Sequence, residues 1–173
     1  MTGLAGLIAD VPDWPKPGVT FKDITPLLAS PRGFRDAIDG IVASAPQGID
    51  VVVGMEARGF IFAAPVALAL DAGFVPVRKP GKLPREVLSE SFDLEYGTET
   101  LTMHADALVA GARVLVVDDV LATGGTVAAT AALLKRLGAE LVHVSVLLEL
   151  PALGGRERLK VEGIDSCSAV LTS

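Results

Sequence analysis

Residues 114–126 carry the side chains whose types and spacing point most directly to chemistry, in the order Val-Leu-Val-Val-Asp-Asp-Val-Leu-Ala-Thr-Gly-Gly-Thr. The two glycines allow backbone N–H groups to approach an anion closely, and the hydroxyls of Thr123 and Thr126 add hydrogen-bond donors. The neighbouring carboxylates of Asp118 and Asp119 repel phosphate, but they accept hydrogen bonds from hydroxyl groups or bind a cation. A sugar phosphate satisfies both halves of this segment.

The elements around the segment are those that an anion site needs. Residues 114–117 are branched and apolar, which is typical of a strand buried on both faces of a parallel sheet, and we expect that strand to end at Asp118. Residues 127–137 are rich in alanine and leucine and stop at Gly138, which predicts a helix. An ordinary turn with solvated acids is the alternative, but the acids, glycines and threonines together in this context favour an anion site.

Apolar runs alternate with helix-like stretches along the whole chain. We predict strands at residues 50–54, 74–77, 114–117 and 141–148, and helices at residues 32–45, 60–70 and 127–137. This alternation predicts an α/β fold, in which a twisted and mostly parallel sheet is flanked by helices. Ligands of such folds bind at the carboxyl ends of the strands, where residues 118–126 would lie.

Composition limits the classes of function that remain. The 173 residues predict one domain that buries its own core, and the net charge of −6 argues against a general nucleic-acid or membrane-surface role. Two histidines and the single Cys167 argue against a zinc site built by the protein and exclude an internal disulfide. The N-terminus lacks the pattern of a signal peptide, and residues 60–70 are too few to span a bilayer. We therefore expect a soluble, cytoplasmic protein.

Positive charge is concentrated directly after the predicted strand at residues 74–77. Four cations fall within eight residues there: Arg78, Lys79, Lys82 and Arg85. A solvated charge run is the alternative, but the position after a strand favours a local site for a polyanion. Arg58 follows the strand at residues 50–54 and is expected at the same edge, where its planar fork would suit paired phosphate oxygens. An ion pair with Glu56 is the alternative for Arg58.

Residues 114–126 resemble the phosphoribosyl-pyrophosphate (PRPP) signature of the type I phosphoribosyltransferases. Four more segments resemble the adenine phosphoribosyltransferase branch of that family, at residues 14–28, 56–60, 78–84 and 95–97. They follow the family's order and span most of the chain, and the segment at residues 14–28 is specific to the adenine branch. The resemblance implies a type I phosphoribosyltransferase-like fold over residues 1–173, with a small hood formed by residues 1–28 and 80–97 approximately.

The resemblance also implies an activity, the transfer of the 5-phosphoribosyl group from PRPP to adenine, which gives AMP and pyrophosphate in purine salvage. It implies a homodimer and Mg²⁺ that is bound through PRPP rather than directly by the protein. A PRPP-sensing regulator of this fold would carry an added DNA-binding domain or a basic RNA-binding face, which the chain's length and charge oppose. A 6-oxopurine substrate is opposed by the segment at residues 14–28.

Roles for single residues follow from the same resemblance together with the chemistry of the side chains. Asp118 and Asp119 would accept hydrogen bonds from the ribose hydroxyls and stabilise a developing positive charge. The 5′-phosphate would be bound by Ala122, Thr123, Gly124, Gly125 and Thr126. The pyrophosphate would be bound by Arg58, Arg78, Lys79 and Lys82, with Arg58 also counted among the catalytic residues. The family's non-proline cis peptide would fall between Glu56 and Ala57.

The purine site depends most on the resemblance. Thr20, Phe21 and Lys22 occupy the family's adenine-binding position, where the ring of Phe21 would stack on the base and main-chain groups would read its edge; a core aromatic is the alternative for Phe21. Leu150 would cover the other face of the base.

Residues 81–96 are expected to form a mobile hood that closes over the reaction centre, and a plain β-hairpin at a sheet edge is the alternative. In the hood, Glu95 would exchange a proton with the purine and Tyr96 would cap the closed site. Solvent-exposed loop residues are the alternative for both.

Overall fold

The computed structural model describes residues 3–93 and 97–173, apart from the side chain of Asp93. The chain divides into two compact units, Met1–Gly40 and Ile41–Ser173. Within the described ranges, no helix is both long and apolar enough to cross a membrane. The expectation of a single domain over residues 1–173 stays a prediction.

The first unit contains short elements. They are a 3-10 helix at Leu4–Leu7, β1 (Ala9–Val11), β2 (Phe21–Asp23), α1 (Thr25–Ala29) and the first turns of α2 (Pro31–Ser44). β1 and β2 pair antiparallel, with Asp10 opposite Lys22, and an ion pair of 2.8 Å joins the Lys22 Nζ to the Asp10 Oδ1. This small hairpin places Phe21 at the start of β2.

In the second unit, strands and helices alternate as the sequence predicts over residues 51–77 and 113–172, and two consecutive strands lie between these segments. Its strands are β3 (Val51–Met55), β4 (Gly73–Val77), β5 (Val87–Asp93), β6 (Thr98–His104), β7 (Arg113–Leu121), β8 (Glu140–Glu149) and β9 (Cys167–Thr172). Its helices are α3 (Arg58–Ala69), α4 (Gly125–Arg136), α5 (Gly155–Val161) and a 3-10 turn at Pro151–Leu153.

Five strands form one parallel sheet in the order β4-β3-β7-β8-β9. The central strand β7 is buried on both faces because helices and strands pack on either side, and its residues Val114, Leu115, Val116 and Val117 are fully buried. The aliphatic core extends from Val114 and Val116 to α4, where Leu133 and Leu134 are equally buried. The predicted α/β fold with a parallel sheet flanked by helices is confirmed.

The expectation that the strand ends at Asp118 is wrong. β7 continues through both carboxylates to Leu121, because β8 runs beside it for the same distance and pairs Asp118 with Val146 and Leu121 with Glu149. Backbone pairing therefore extends beyond the apolar run that marks the strand in the sequence. The consequence is that Asp118 and Asp119 lie within the sheet.

Part of the segment predicted as a loop or hairpin is a strand. β5 occupies Val87–Asp93 and pairs antiparallel with β6 in a separate two-stranded sheet. The hairpin alternative is correct for these residues. Residues 94–96, which include Glu95 and Tyr96, lie outside the part of the chain that the structure describes, so the roles expected for them stay predictions.

Gly54 lies in β3 where the backbone of the strand approaches α3. A Cβ at Gly54 would be 2.6 Å from the Ala63 Cβ and 3.1 Å from the Phe74 ring, closer than side chains tolerate. Gly73, in the neighbouring strand β4, is a matched control, because its nearest contacts would be at 3.7 Å.

We predict that Gly54→Ala lowers the free energy of unfolding by about 1–3 kcal/mol, the usual cost of overpacking a core. Gly73→Ala should be neutral or slightly stabilising, because it removes backbone freedom from the unfolded chain. Urea unfolding of both variants measures the difference. Equal stability of the two variants would contradict the close approach of α3 to β3.

Candidate active site

The carboxyl ends of four parallel strands meet at one edge of the five-stranded sheet, because their register brings them level. The residues that follow or end these strands are Glu56 to Arg58 after β3, Arg78 to Lys82 after β4, Asp118 to Thr126 at the end of β7, and Glu149 with Leu150 at the end of β8. Most of the residues that the sequence singles out in the second unit are therefore brought to this edge.

The two adjacent carboxylates near the end of β7 are close to each other and to one cation. The Asp119 N–H donates to the Asp118 Oδ1 at 2.9 Å. The Arg58 Nε lies 2.7 Å from the Asp119 Oδ2, so that Arg58 pairs with Asp119, while Glu56 pairs with Arg78. Asp119 is only 6% exposed. Its Oδ2 receives no aligned hydrogen bond among the described residues, because the contact with Arg58 is close in distance but not directed along an N–H bond.

Burial sets the protonation of this acidic pair. It raises the pKa of Asp118 well above the ordinary carboxyl value, and the charge of Asp119 raises that pKa further. Burial also raises the pKa of Asp119, although the guanidinium of Arg58 opposes this effect. Two neighbouring carboxylates in this environment are poorly solvated, and they are well placed to accept hydrogen bonds from hydroxyl groups or to face a positive charge.

The turn between β7 and α4 contains Ala122, Thr123, Gly124, Gly125 and Thr126 at the position the sequence predicts. Gly124 is the N-cap residue of α4 and has a φ of 79°, a left-handed conformation that favours glycine. The first N–H groups of a helix have no partner within the helix, and the helix dipole favours an anion there. The turn thus has the geometry of an anion site.

The cations after β4 are held by carboxylates. The Arg78 Nε lies 2.7 Å from the Glu56 Oε2, and the Lys79 N–H donates to the Glu56 Oε1 at 3.1 Å. Burial raises the pKa of Glu56, but these two hydrogen bonds and the charges of Arg78 and Lys82 together outweigh it, so that the pKa lies below its usual value. The Lys79 Nζ also pairs with the Glu99 Oε1 at 2.5 Å. The predicted cis peptide between Glu56 and Ala57 is confirmed.

The remaining cations of the basic cluster are more exposed. Lys82 has an exposed side chain, and its carbonyl accepts a hydrogen bond from the Arg78 Nη1 at 3.2 Å. Arg85 pairs with Asp106 on the surface. The predicted pyrophosphate residues thus divide into three that carry carboxylate partners, Arg58, Arg78 and Lys79, and one exposed lysine.

The residues predicted to bind adenine lie in different units. In the first, Phe21 packs edge-on against Trp14 with ring centroids 4.4 Å apart, and Thr20 is exposed. In the second, Leu150 follows β8, and its N–H donates to the Leu121 carbonyl at 3.0 Å. The role of these residues and of Lys22 in binding a purine stays a prediction.

Sequence reasoning missed an ion pair at the end of β8. The Arg156 Nε donates to the Glu149 Oε1 at 2.8 Å, and the Arg156 Nη1 donates to the Cys167 carbonyl at 2.7 Å. Glu149 is only 7% exposed. Its position directly after the apolar run at residues 141–148 was the available signal, because a charged residue at the carboxyl end of a buried parallel strand lies at the ligand-binding edge. No group of three or more His, Cys, Asp or Glu residues suited to a metal ion occurs in the described ranges.

Comparison with known proteins agrees with this arrangement. The family model of the phosphoribosyl transferase domain matches residues 21–170. An adenine phosphoribosyltransferase from Cutibacterium acnes is 67% identical over 169 residues, which cover 98% of this chain and 96% of that protein.

Solved structures give the same result. The crystal structure of the adenine phosphoribosyltransferase from Thermoanaerobacter pseudethanolicus is similar with a TM-score of 0.94 and 43% identity, covering 98% of each chain. The Saccharomyces cerevisiae adenine phosphoribosyltransferase, solved with adenine and an imino-altritol bisphosphate, has a TM-score of 0.89 and 37% identity, covering 97% of this chain and 96% of its own. The similarity extends over nearly the full length of each protein, and this chain belongs to the adenine phosphoribosyltransferases of the phosphoribosyltransferase family.

Proposed function

We propose that this chain transfers the 5-phosphoribosyl group from PRPP to adenine and produces AMP and pyrophosphate, as a purine salvage enzyme. The observation that carries the proposal is that acidic side chains and a turn suited to an anion lie at the same edge of the sheet. The buried Asp119 and the partly buried Asp118 lie near the end of β7, shortly before a glycine turn that opens a helix. The near full-length similarity to adenine phosphoribosyltransferases supports adenine as the base.

The reaction breaks the bond between C1 of the ribose and the pyrophosphate oxygen, so positive charge develops on the sugar and negative charge on the leaving group. The carboxylates of Asp118 and Asp119 would accept hydrogen bonds from the ribose hydroxyls and stabilise the positive charge. Backbone N–H groups of residues 122–126 and the two threonine hydroxyls would hold the 5′-phosphate. Arg58, Arg78, Lys79 and Lys82 would stabilise the pyrophosphate.

We propose Mg²⁺ as the cofactor, bound by oxygens of PRPP and by water. Mg²⁺ prefers oxygen ligands and keeps several waters, so it uses substrate phosphates rather than protein cages. The donor chemistry of the edge fits this arrangement, since the buried Asp119 Oδ2 lacks an aligned hydrogen bond among the described residues and suits a bound water or hydroxyl. When bound, the ion would neutralise charge that develops on the leaving group.

The purine and hood roles are proposed from the family resemblance. Main-chain groups of Thr20 and Lys22 would read the adenine edge, Phe21 would stack on the ring, and Leu150 would cover it. A 6-oxopurine reverses the donor and acceptor pattern and would leave buried groups unpaired. Glu95 would exchange a proton with the purine, and Tyr96 would cap the closed site.

We also propose a homodimer and a cytoplasmic location. Apolar side chains exposed on α3 and β4 support a dimer surface, namely Ile61, Leu68 at 83% exposure and Phe74. The single cysteine is compatible with a reducing compartment.

The direct test of the proposed function is steady-state pyrophosphate release from PRPP with adenine, hypoxanthine, guanine and xanthine as the second substrate. We expect turnover with adenine and little with the three 6-oxopurines. Faster turnover with a 6-oxopurine would show that adenine is not the preferred base. Absence of turnover with all four bases would refute the proposal that the chain is an enzyme of this kind.

We predict that Asp119→Asn lowers kcat/KM by about 10²–10³-fold, as expected when one preorganised electrostatic contact to the transition state is removed. The change keeps the shape of the side chain and removes its charge. Asp106→Asn is the control, because Asp106 carries a similar charge on the surface beside Arg85. Near-normal turnover of a folded Asp119→Asn variant would remove this residue from the ribose site.

We predict that Asp118→Asn stabilises the ligand-free protein at neutral pH. Because burial and the charge of Asp119 raise the pKa of Asp118 in the folded state, stability falls as the pH rises above the unfolded value of 3.8 and toward the folded pKa. Asparagine keeps the oxygen that accepts the Asp119 N–H.

Thermal unfolding across acid to neutral pH tests this prediction. The melting temperature should rise at neutral pH, by roughly 2–4 °C for each kcal/mol in a chain of this size, and the difference from the parent protein should shrink in acid. A melting temperature that is lower at neutral pH and equal to that of the parent protein in acid would show instead that the charge of Asp118 stabilises the fold.

We predict that Glu95→Gln lowers kcat more than it weakens PRPP binding, because a proton-transfer group acts in the transition state while PRPP is held elsewhere. Single-turnover kinetics and direct PRPP binding separate the two effects. A weakened affinity for PRPP with unchanged kcat would contradict the proton-transfer role.

A further inference from the structure

The turn between β7 and α4 is contacted from one side by the backbone that follows β8. A Cβ placed on Gly155 would lie 2.2 Å from the Ala122 carbonyl oxygen and 3.1 Å from the Leu121 side chain. A Cβ on Gly124 would lie 2.9 Å from the Gly155 carbonyl oxygen. The two glycines are therefore in backbone-to-backbone contact, and neither position has room for a side chain.

The beginning of the segment that follows β8 also contacts the turn, through a backbone hydrogen bond. The Leu150 N–H donates to the Leu121 carbonyl at 3.0 Å, so the segment 150–155 contacts the turn at both its beginning and its end. Between these contacts lie only the 3-10 turn Pro151–Leu153 and Gly154. The shape of the turn at residues 121–124 thus depends on where the start of α5 is held.

The start of α5 is held by an ion pair between Arg156 and the buried Glu149 at the end of β8. Arg156, the residue after Gly155, donates from its Nε and Nη2 to the two carboxylate oxygens of Glu149, at 2.8 Å and 2.5 Å. The hydrogen bonds from Arg156 lower the pKa of Glu149, so the pair is ionised at neutral pH. A bidentate pair of this kind fixes orientation as well as distance.

We propose that Gly155 and the Glu149–Arg156 pair are positioning residues that hold the β7–α4 turn in the shape required to bind a sugar 5′-phosphate. The proposal rests on the proposed function of that turn. It assigns a role to three residues that do not themselves reach the ligand. Gly155 determines how closely α5 approaches the turn, and the ion pair determines the orientation of the start of α5.

The expected effect of Gly155→Ala follows from the distance. An ordinary contact with a Cβ begins at 3.4 Å, so the Ala122 oxygen would have to move by about 1 Å. A misplacement of that size costs about 10²-fold in a site that depends on orientation. The KM for PRPP and the dissociation constant for ribose 5-phosphate should both rise, while the KM for adenine stays unchanged.

Two variants of the ion pair test the second half of the proposal. Glu149→Gln keeps the size of the side chain and removes its charge, and Arg156→Lys keeps the charge but removes the planar fork. Both should raise the KM for PRPP, with the larger effect in Glu149→Gln. The double variant should be clearly less impaired than the sum of the two single effects, because the pair acts as a unit. Glu157→Gln is the control, since Glu157 forms an exposed pair with Lys160 on the same helix.

The experiment measures steady-state kinetics, calorimetric binding of ribose 5-phosphate and melting temperature for each variant. A lower melting temperature with unchanged KM for PRPP and unchanged affinity for ribose 5-phosphate would overturn the proposal, because it describes a merely structural role. If Gly155→Ala does not fold, Glu149→Gln decides. Absence of turnover in the parent protein would refute the proposed function alone, since ribose 5-phosphate binding still tests the positioning of the turn.

Discussion

Two adjacent carboxylates inside a parallel sheet are the constraint on which the rest of the site depends. Burial raises the pKa of both Asp118 and Asp119, and their mutual repulsion adds to the cost of keeping them charged. The surrounding structure accommodates them: β8 extends far enough to pair the backbone of β7, and α3 begins with Arg58 against Asp119. The acids are thus held at the sheet edge by backbone pairing and by one cation.

Much of this arrangement can be predicted from the sequence, because apolar periodicity and glycine punctuation are local signals. The predicted parallel sheet and the β7–α4 turn agree with the structure, and the cis bond at Glu56, which the family resemblance implies, is also present. The length of β7 and the existence of β9 do not follow from such signals, since hydrogen bonding to a neighbouring strand decides them. The alternative for Arg58, an ion pair with Glu56, is wrong for a similar reason: Glu56 is near in sequence, but Asp119 is near in space.

The carboxyl edge of the sheet carries both acidic and basic side chains, and this explains why its cations already have carboxylate partners. Arg58, Arg78 and Lys79 contact Asp119, Glu56 and Glu99 respectively. When a polyanion enters such a site, its phosphate oxygens replace the carboxylate partners of these cations, so the net gain in free energy is smaller than for unpaired cations. What the paired arrangement supplies is orientation, because each cation is fixed before the ligand arrives and loses less side-chain freedom on binding.

The same reasoning applies to the β7–α4 turn, where the constraint is steric instead of electrostatic. Gly124 and Gly155 allow two backbone segments to meet without side chains between them. The ion pair of Glu149 and Arg156 holds the second of these segments in place. A sugar phosphate presents its hydroxyls and its phosphate at a fixed separation, so the acids of β7 and the turn that follows must be held at a matching distance. A turn held by a neighbouring backbone segment meets that requirement, whereas a free glycine-rich loop would have to be ordered by the ligand at a cost in affinity.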